Sequence, residues 1–158
     1  MNALAEAGIY LALDVNTPLY SLNQNQPEQS YNPYYLQSVF ATIDNMQKYS
    51  NTLVFFSGNE VINKANTTAA APYVKAVTRD MKQYIGERGY RQIPVGYSAA
   101  DVSENQYTMA QYMDCGADPS RSDFFSLNNY EWCDPSSLEK SGWLTLADQY
   151  KNYSQPVL

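Results

Sequence analysis

The chain is predicted to be an α/β protein built on a parallel sheet, and three observations carry that expectation. Segments with strand character alternate with segments at helical spacing along the whole length. One apolar run, Leu53-Val54-Phe55-Phe56, is continuous rather than alternating, as in strands covered on both faces of a parallel sheet. Polar residues also gather where successive strands end: Asp14 with Asn16, Asn59 with Glu60, Ser98 with Asp101, and Asn128 with Tyr130. Barrel enzymes place their catalytic groups on that carboxyl edge.

Taken in order, Ile9 to Leu13 is a short buried strand ending at Asp14. Asn32-Pro33 opens a helix, because proline is welcome at the first helical position, and Leu36, Val39, Phe40, Ile43 and Met46 follow at helical spacing. Leu53 to Phe56 is the next strand. Pro72 opens a second helix that carries Tyr73, Val77, Met81, Tyr84 and Ile85 on one face, with Gly86 and Gly89 marking its end. A strand at Ile93 to Tyr97 leads to a third helix, capped by Ser103 and running to about Met113. Asp123 to Leu127 is a fourth strand, and Asp134 to Ser137 is loop. Leu144 to Tyr150 is a weaker helical stretch, and Gln155 to Leu158 reads as a strand that has just begun. No internal repeat, low-complexity tract or linker divides the chain, so a single domain, or part of one, is expected.

Composition narrows the chemistry. The 158 residues suffice for one domain with a real core but fall short of the about 250 that a complete barrel takes. A net charge of -6, with no run of Lys or Arg, argues against nucleic acid and anionic membrane as partners. No stretch has the length of a membrane span, and Met1 to Asp14 lacks the basic start of a signal peptide. With no His in the chain, the usual Ser-His-Asp and Cys-His nucleophiles are excluded and the commonest metal ligand is lost. Gly96-Tyr97-Ser98-Ala99-Ala100 superficially resembles a nucleophile elbow, yet Ser98 has no ordinary base. Carboxylates remain as the acids and bases, and no cofactor is expected. Fifteen tyrosines offer flat apolar faces with polar tips, which suit carbohydrate.

The sharpest feature is Leu53-Val54-Phe55-Phe56-Ser57-Gly58-Asn59-Glu60, an apolar run that stops at an amide followed by a carboxylate. At a strand's carboxyl end, Glu60 can protonate a glycosidic oxygen while Asn59 donates to a neighbouring hydroxyl. The ordinary alternative is that Glu60 caps the next turn and Asn59 is a turn residue. Retaining sugar chemistry needs a second carboxyl about 5 Å away. Asp14, Asp101 and Glu131 are possible seconds, although Glu131 lies in an aromatic stretch and reads as loop surface. Cys115 and Cys133 fit no zinc or redox spacing; they could pair with each other, stay reduced, or pair with residues outside this sequence. Asn66-Thr67-Thr68 and Asn152-Tyr153-Ser154 satisfy the glycosylation triplet and weakly favour secretion.

Further blocks, in order, are Ala7-Gly8-Ile9-Tyr10, Leu13-Asp14-Val15-Asn16, Tyr49 to Leu53, Phe55 to Asn63, Ala71-Pro72-Tyr73-Val74, Pro94 to Asp101, and Trp132 to Ser137. Together they make the chain resemble the fungal β-1,3-glucanosyltransferases of glycoside hydrolase family 72, from Ala7 to Leu158. The resemblance implies a (β/α)8 TIM barrel that cleaves an internal β-1,3-glucan linkage, holds the new end as a glycosyl ester, and transfers it to a second glucan. It places Glu60 on the family's acid/base and Asn59 on its amide neighbour. Asp14, Asn16, Tyr20 and Ser21 fall on the donor-sugar side, Asp101 near the acceptor side, and Tyr130 on the tyrosine close to the nucleophile. The partners it implies are a β-1,3-glucan donor and acceptor.

The family's nucleophile is a Glu in a Ser-Glu-Tyr-Gly motif a few residues into the strand that begins at Gln155, and these 158 residues do not contain that motif. The resemblance also implies a disulfide partner for Cys133 just past Leu158 and one for Cys115 further on. In the full-length family it implies a signal peptide and a glycosylphosphatidylinositol anchor at the outer face of the plasma membrane or cell wall. On this reading the chain is a partial barrel, from roughly the third strand to the start of the seventh, truncated at both ends and inactive alone. A non-catalytic glucan-binding module and a gene-model remnant are the rival readings.

Overall fold

The computed structural model describes residues 1–102, 104–130, 132–133 and 136–158. Strands β1 (Leu11–Asp14), β2 (Thr52–Asn59), β3 (Val95–Ala100) and β4 (Phe125–Asn128) lie side by side in chain order, each parallel to the next. The helices are α1 (Asn2–Glu6), α2 (Pro27–Ser30), α3 (Pro33–Met46), α4 (Ala71–Glu87), α5 (Gln106–Asp114) and α6 (Trp143–Tyr150). Parallel neighbours in sequential order, joined by helical crossovers, form a sector of a (β/α)8 barrel.

The chain's last residues add to this sheet. Val157 bridges Phe125 in parallel, the N–H of Phe125 donates to Pro156 O at 2.9 Å, and the N–H of Leu127 donates to Leu158 O at 3.0 Å. The strand expected at Gln155 to Leu158 is thus beginning to pair with β4.

One face of the sheet packs on the helices. Phe55, Val95, Tyr97 and Phe125 meet Tyr35, Val39 and Ile43 of α3, Val74, Val77, Met81 and Ile85 of α4, and Met109 and Met113 of α5, all buried. The expected face of α3 holds, with Tyr35 added and with Leu36, Phe40 and Met46 only partly buried. Asn32 caps that helix, its Oδ1 accepting from the N–H of Tyr35 at 3.1 Å. Gly86 lies inside α4, and Gly89, at φ +65°, forms the turn after it.

Several boundaries move, each for a physical reason. β1 starts at Leu11, whose N–H donates to Asn51 O, while Ile9 and Tyr10 are exposed by 48% and 64%. Rather than being buried, β1 is an edge strand with Ala12 and Asp14 on its open side. β2 is longer than the apolar run, and its Leu53 is 49% exposed, so cover on both faces extends only to the middle of the strand. β3 begins after Pro94, which has no N–H to pair. It continues through Ala100, so Ser98 sits inside a strand and the resemblance to a nucleophile elbow falls away. β4 starts at Phe125, because Asp123 is engaged through its side chain by the N–H of Val95 and by Lys82. α5 opens at Asn105 rather than Ser103, which lies outside the described residues.

Asp114 fastens the end of α5 to the C-terminal segment. Its carboxylate accepts from Arg121 Nη2 at 2.7 Å, from Gln155 Nε2 at 3.2 Å and from Ser154 Oγ. Burial pushes this carboxyl up, but the Ser154, Arg121 and Gln155 hydrogen bonds outweigh it and hold the group below its ordinary value. A depressed native value stabilises the fold above the unfolded carboxyl's value, and that contribution is lost as pH falls through the native one. The unfolding temperature should therefore hold from neutrality to about pH 5 and decline below about pH 4. Asp114→Asn should flatten part of the decline; an unchanged acid profile in the variant would rule this clasp out as a contributor.

Candidate active site

The functional edge of the sheet is built by a local departure from regular geometry. Between Phe56 and Gly58 the β2–β3 register shifts, a bulge that re-aims the residues after it. Gly58 accommodates the close approach there, since a Cβ at that position would lie 3.2 Å from Val61 Cγ2 and 3.4 Å from the Tyr97 ring. Glu60 then adopts φ +52°, a left-handed conformation that costs a non-glycine residue on the order of 1 kcal/mol. Two bonds hold the turn: the N–H of Glu60 donates to Ser98 O at 2.8 Å, and the N–H of Ile62 donates to Tyr97 OH at 3.0 Å. Burial keeps the Tyr97 phenol above its ordinary value, so it is neutral.

Side chains from three strand ends converge on this turn. Asn128 Nδ2 donates to Glu60 Oε1 at 2.7 Å and to Asn59 Oδ1 at 3.0 Å, while Asn128 Oδ1 accepts from Ser98 Oγ at 2.8 Å. At the end of β1, Asn16 donates to Asp14 Oδ1 from its backbone N–H at 2.9 Å and from Nδ2 at 2.6 Å. Buried Tyr35 reaches up from α3 and donates its hydroxyl to Asn16 Oδ1 at 2.9 Å. Although Asp14 stays open to solvent, the protein groups crowded round its carboxyl at the cleft wall partly desolvate it and raise it above its ordinary value, opposed by the two Asn16 hydrogen bonds. Tyr35 is raised first by burial and then by the nearby Asp14 charge.

An open cleft of about 440 Å³ runs between these groups, lined by Asp14, Asn16, Ser21, Asn59 and Glu60 with the asparagine-rich stretch after Leu22. Five of the eight residues singled out from the sequence therefore share one cavity. Tyr20 lines an adjoining cleft with Tyr34 and Tyr35, and Ser21 belongs to both. Asp101 lies apart, at the end of β3, where its carboxylate accepts from Gln106 Nε2 at 2.9 Å and Asn129 Nδ2 at 3.1 Å. Tyr130 is 84% exposed and does not line the cleft. Glu131, set aside as loop surface, lies outside the described residues.

Sequence reasoning missed Asn128 and Ser98 as site residues, although both were visible in the polar clusters at strand ends. It missed Tyr35, a tyrosine on a helix, for which no local pattern signals a role. Cys115 and Cys133 are exposed and not bonded to one another; Lys75 Nζ lies 3.1 Å from Cys115 Sγ. No helix among the described residues is long and apolar enough to cross a membrane.

Known proteins are similar to this chain in sequence and fold. A family model described as Glucanosyltransferase, of glycoside hydrolase family 72, matches residues 1–158. The 1,3-beta-glucanosyltransferase gel1 of Aspergillus fumigatus is 61% identical over 157 residues, covering 99% of this chain and 35% of that protein. The 1,3-beta-glucanosyltransferase GAS5 of Saccharomyces cerevisiae is 55% identical over 158 residues, 99% of this chain and 33% of that one. A structure of Saccharomyces cerevisiae Gas2p in complex with laminaritriose and laminaritetraose superposes with a TM-score of 0.93 at 37% identity, across 99% of this chain and 35% of that one. The chain thus spans about a third of the length of the curated relatives it matches. With the family model matched along its whole length, the chain belongs to the glucanosyltransferases of glycoside hydrolase family 72.

Proposed function

We propose that these residues form the acid/base half of a barrel enzyme that cleaves β-1,3-glucan internally and rejoins the retained piece to another glucan. The observation that carries the reading is Glu60, presented into a polar cleft at a strand's carboxyl end. Oε1 is held by Asn128, and Oε2 has no protein partner among the described residues. Laminari-oligosaccharides, bound in the Gas2p structure, are the short form of this substrate.

In the first step Glu60 gives its proton to the departing glucan oxygen while a second carboxylate attacks the anomeric carbon from the opposite side, forming a glycosyl ester. Glu60, now ionised, takes the proton from the 3-hydroxyl of an incoming glucan, whose oxygen displaces the ester and regenerates both carboxyls. Asp14, Asn16, Tyr20 and Ser21 contact the donor sugar. Asp101, on the far side of Glu60 from that cleft, serves the acceptor, and Tyr130 lies towards the second carboxylate. That carboxylate belongs to the family's Ser-Glu-Tyr-Gly motif, which the 158 residues do not contain, so the reading is tested in a barrel that supplies it. The same reading puts the enzyme at the cell surface or wall. It makes Asn66 and Asn152, both exposed, glycan acceptors and gives Cys115 and Cys133 disulfide partners outside this sequence.

The test is a full barrel containing these residues, incubated with a reduced laminari-oligosaccharide of one length. Products both longer and shorter than the input are expected. Binding without turnover would favour a glucan-binding module instead, and release of short sugars alone would make the enzyme a hydrolase.

A further inference from the structure

Asn128 occupies a position where the polarity of an amide matters, because its two ends face groups of opposite demand. On one side stand two acceptors, Asn59 Oδ1 and the Glu60 carboxylate, at 3.0 and 2.7 Å from Nδ2. On the other stands the hydroxyl of Ser98, 3% exposed, 2.8 Å from Oδ1. A flipped amide would set its oxygen against the Asn59 oxygen and a carboxylate, so one orientation alone satisfies every partner. The strand register puts the three together: Asn59 pairs with Ser98 across β2 and β3, and Ser98 stands two residues from the partner of Asn128 across β3 and β4, on the same face.

We propose that Asn128, fixed in orientation by Ser98, is the positioning residue that aims both Asn59 and Glu60 at the scissile sugar. This rests on the transfer reading above. By occupying Asn59 Oδ1, Asn128 turns the Asn59 NH₂ towards the cleft, where it can donate to a sugar hydroxyl. By anchoring Glu60 Oε1, it leaves Oε2 to carry the proton. Ser98 supports Glu60 by two routes, through Asn128 by its hydroxyl and directly by its carbonyl, which accepts from the Glu60 N–H. The relay crosses three strands and touches no substrate beyond the two residues it aims.

The test uses Ser98→Ala, Asn128→Ala and the double variant in a full barrel containing these residues. Loss of the Ser98 hydrogen bond should lower kcat on laminari-oligosaccharides about tenfold, with KM within about twofold and the unfolding temperature nearly unchanged. Asn128→Ala should cost more, and the double variant no more than Asn128→Ala alone, because Ser98 acts through Asn128. Additive losses, or a kcat unaffected by Ser98→Ala, would overturn the relay. A readout independent of activity is the exchange of the Asn128 side-chain amide protons with solvent. It should be slow in the unsubstituted protein and accelerate in Ser98→Ala, and equal rates would also overturn the relay. Failure of the unsubstituted barrel to transfer glucan would instead refute the functional reading, with the exchange comparison still deciding the relay.

Discussion

In a full barrel containing these residues, Glu60→Gln should reduce glucan transfer by about 10²- to 10⁴-fold, the usual contribution of a positioned general acid and base, equivalent to about 3 to 5 kcal/mol of transition-state stabilisation. The amide is nearly isosteric and still offers an oxygen to Asn128 Nδ2, so the 2.7 Å contact and the left-handed turn survive. What disappears is the proton: an amide can neither release one to the leaving glucan nor accept one from the incoming hydroxyl. Both steps suffer, so no activated acceptor should restore the rate. Binding of laminari-oligosaccharides, followed by calorimetry, should change little, because the cleft walls at Asp14, Asn16 and Ser21 are untouched. A variant that kept its transfer rate would show that Glu60 is a turn residue and that another group carries the proton. Loss of rate and binding together would point to a collapsed cleft.

The sequence revealed this residue because its setting is local: an apolar strand, then Ser-Gly-Asn-Glu. The α3 start at Asn32-Pro33 was legible for the same reason, since the cap and its acceptor lie three residues apart. Where the determinants were remote, sequence reasoning drifted. The β4 boundary depends on Asp123, whose side chain takes the N–H of Val95 from 28 positions away. The exposure of Leu53, Ala12 and Asp14 follows from which face of the sheet carries helices, a property no five-residue window contains. The site shows the same division. Asn59, Glu60, Asp14 and Asn16 were found from strand ends, whereas the link between Asn128 and Asn59 joins residues 69 positions apart and exists only once the strands pair. Asp101 and Tyr130 also stood out at strand ends, yet the structure leaves both outside the main cleft, because that cleft lies between the ends of β1 and β2.

Gly96→Ala tests whether that strand pairing supports the site. A Cβ at position 96 would lie 2.5 Å from the Phe124 carbonyl oxygen and 2.7 Å from two atoms of its ring. The oxygen is backbone at the entrance to β4, and the ring is already packed edge-on against Phe56 at 5.6 Å, so neither can yield cheaply. Relief requires β3 and β4 to separate or Phe124 to leave its place. Overpacking of this kind typically costs 1 to 3 kcal/mol, and a contact against backbone belongs at the upper end, so a fall in unfolding temperature on the order of 10 °C is expected. Gly86→Ala is the matched control. Gly86 lies in α4 with nothing within 4 Å of its added Cβ, so alanine should raise stability there by up to about 1 kcal/mol through helix propensity. The same added methyl should therefore act with opposite sign at two sites ten positions apart. Because Ser98 lies two residues beyond Gly96, separating the strands also lengthens its 2.8 Å bond to Asn128. In a full barrel containing these residues, Gly96→Ala should then lose kcat even at temperatures where it stays folded, while Gly86→Ala keeps it. Equal stability in the two variants would mean that β3 and β4 are not packed as closely as the Gly96 contact requires.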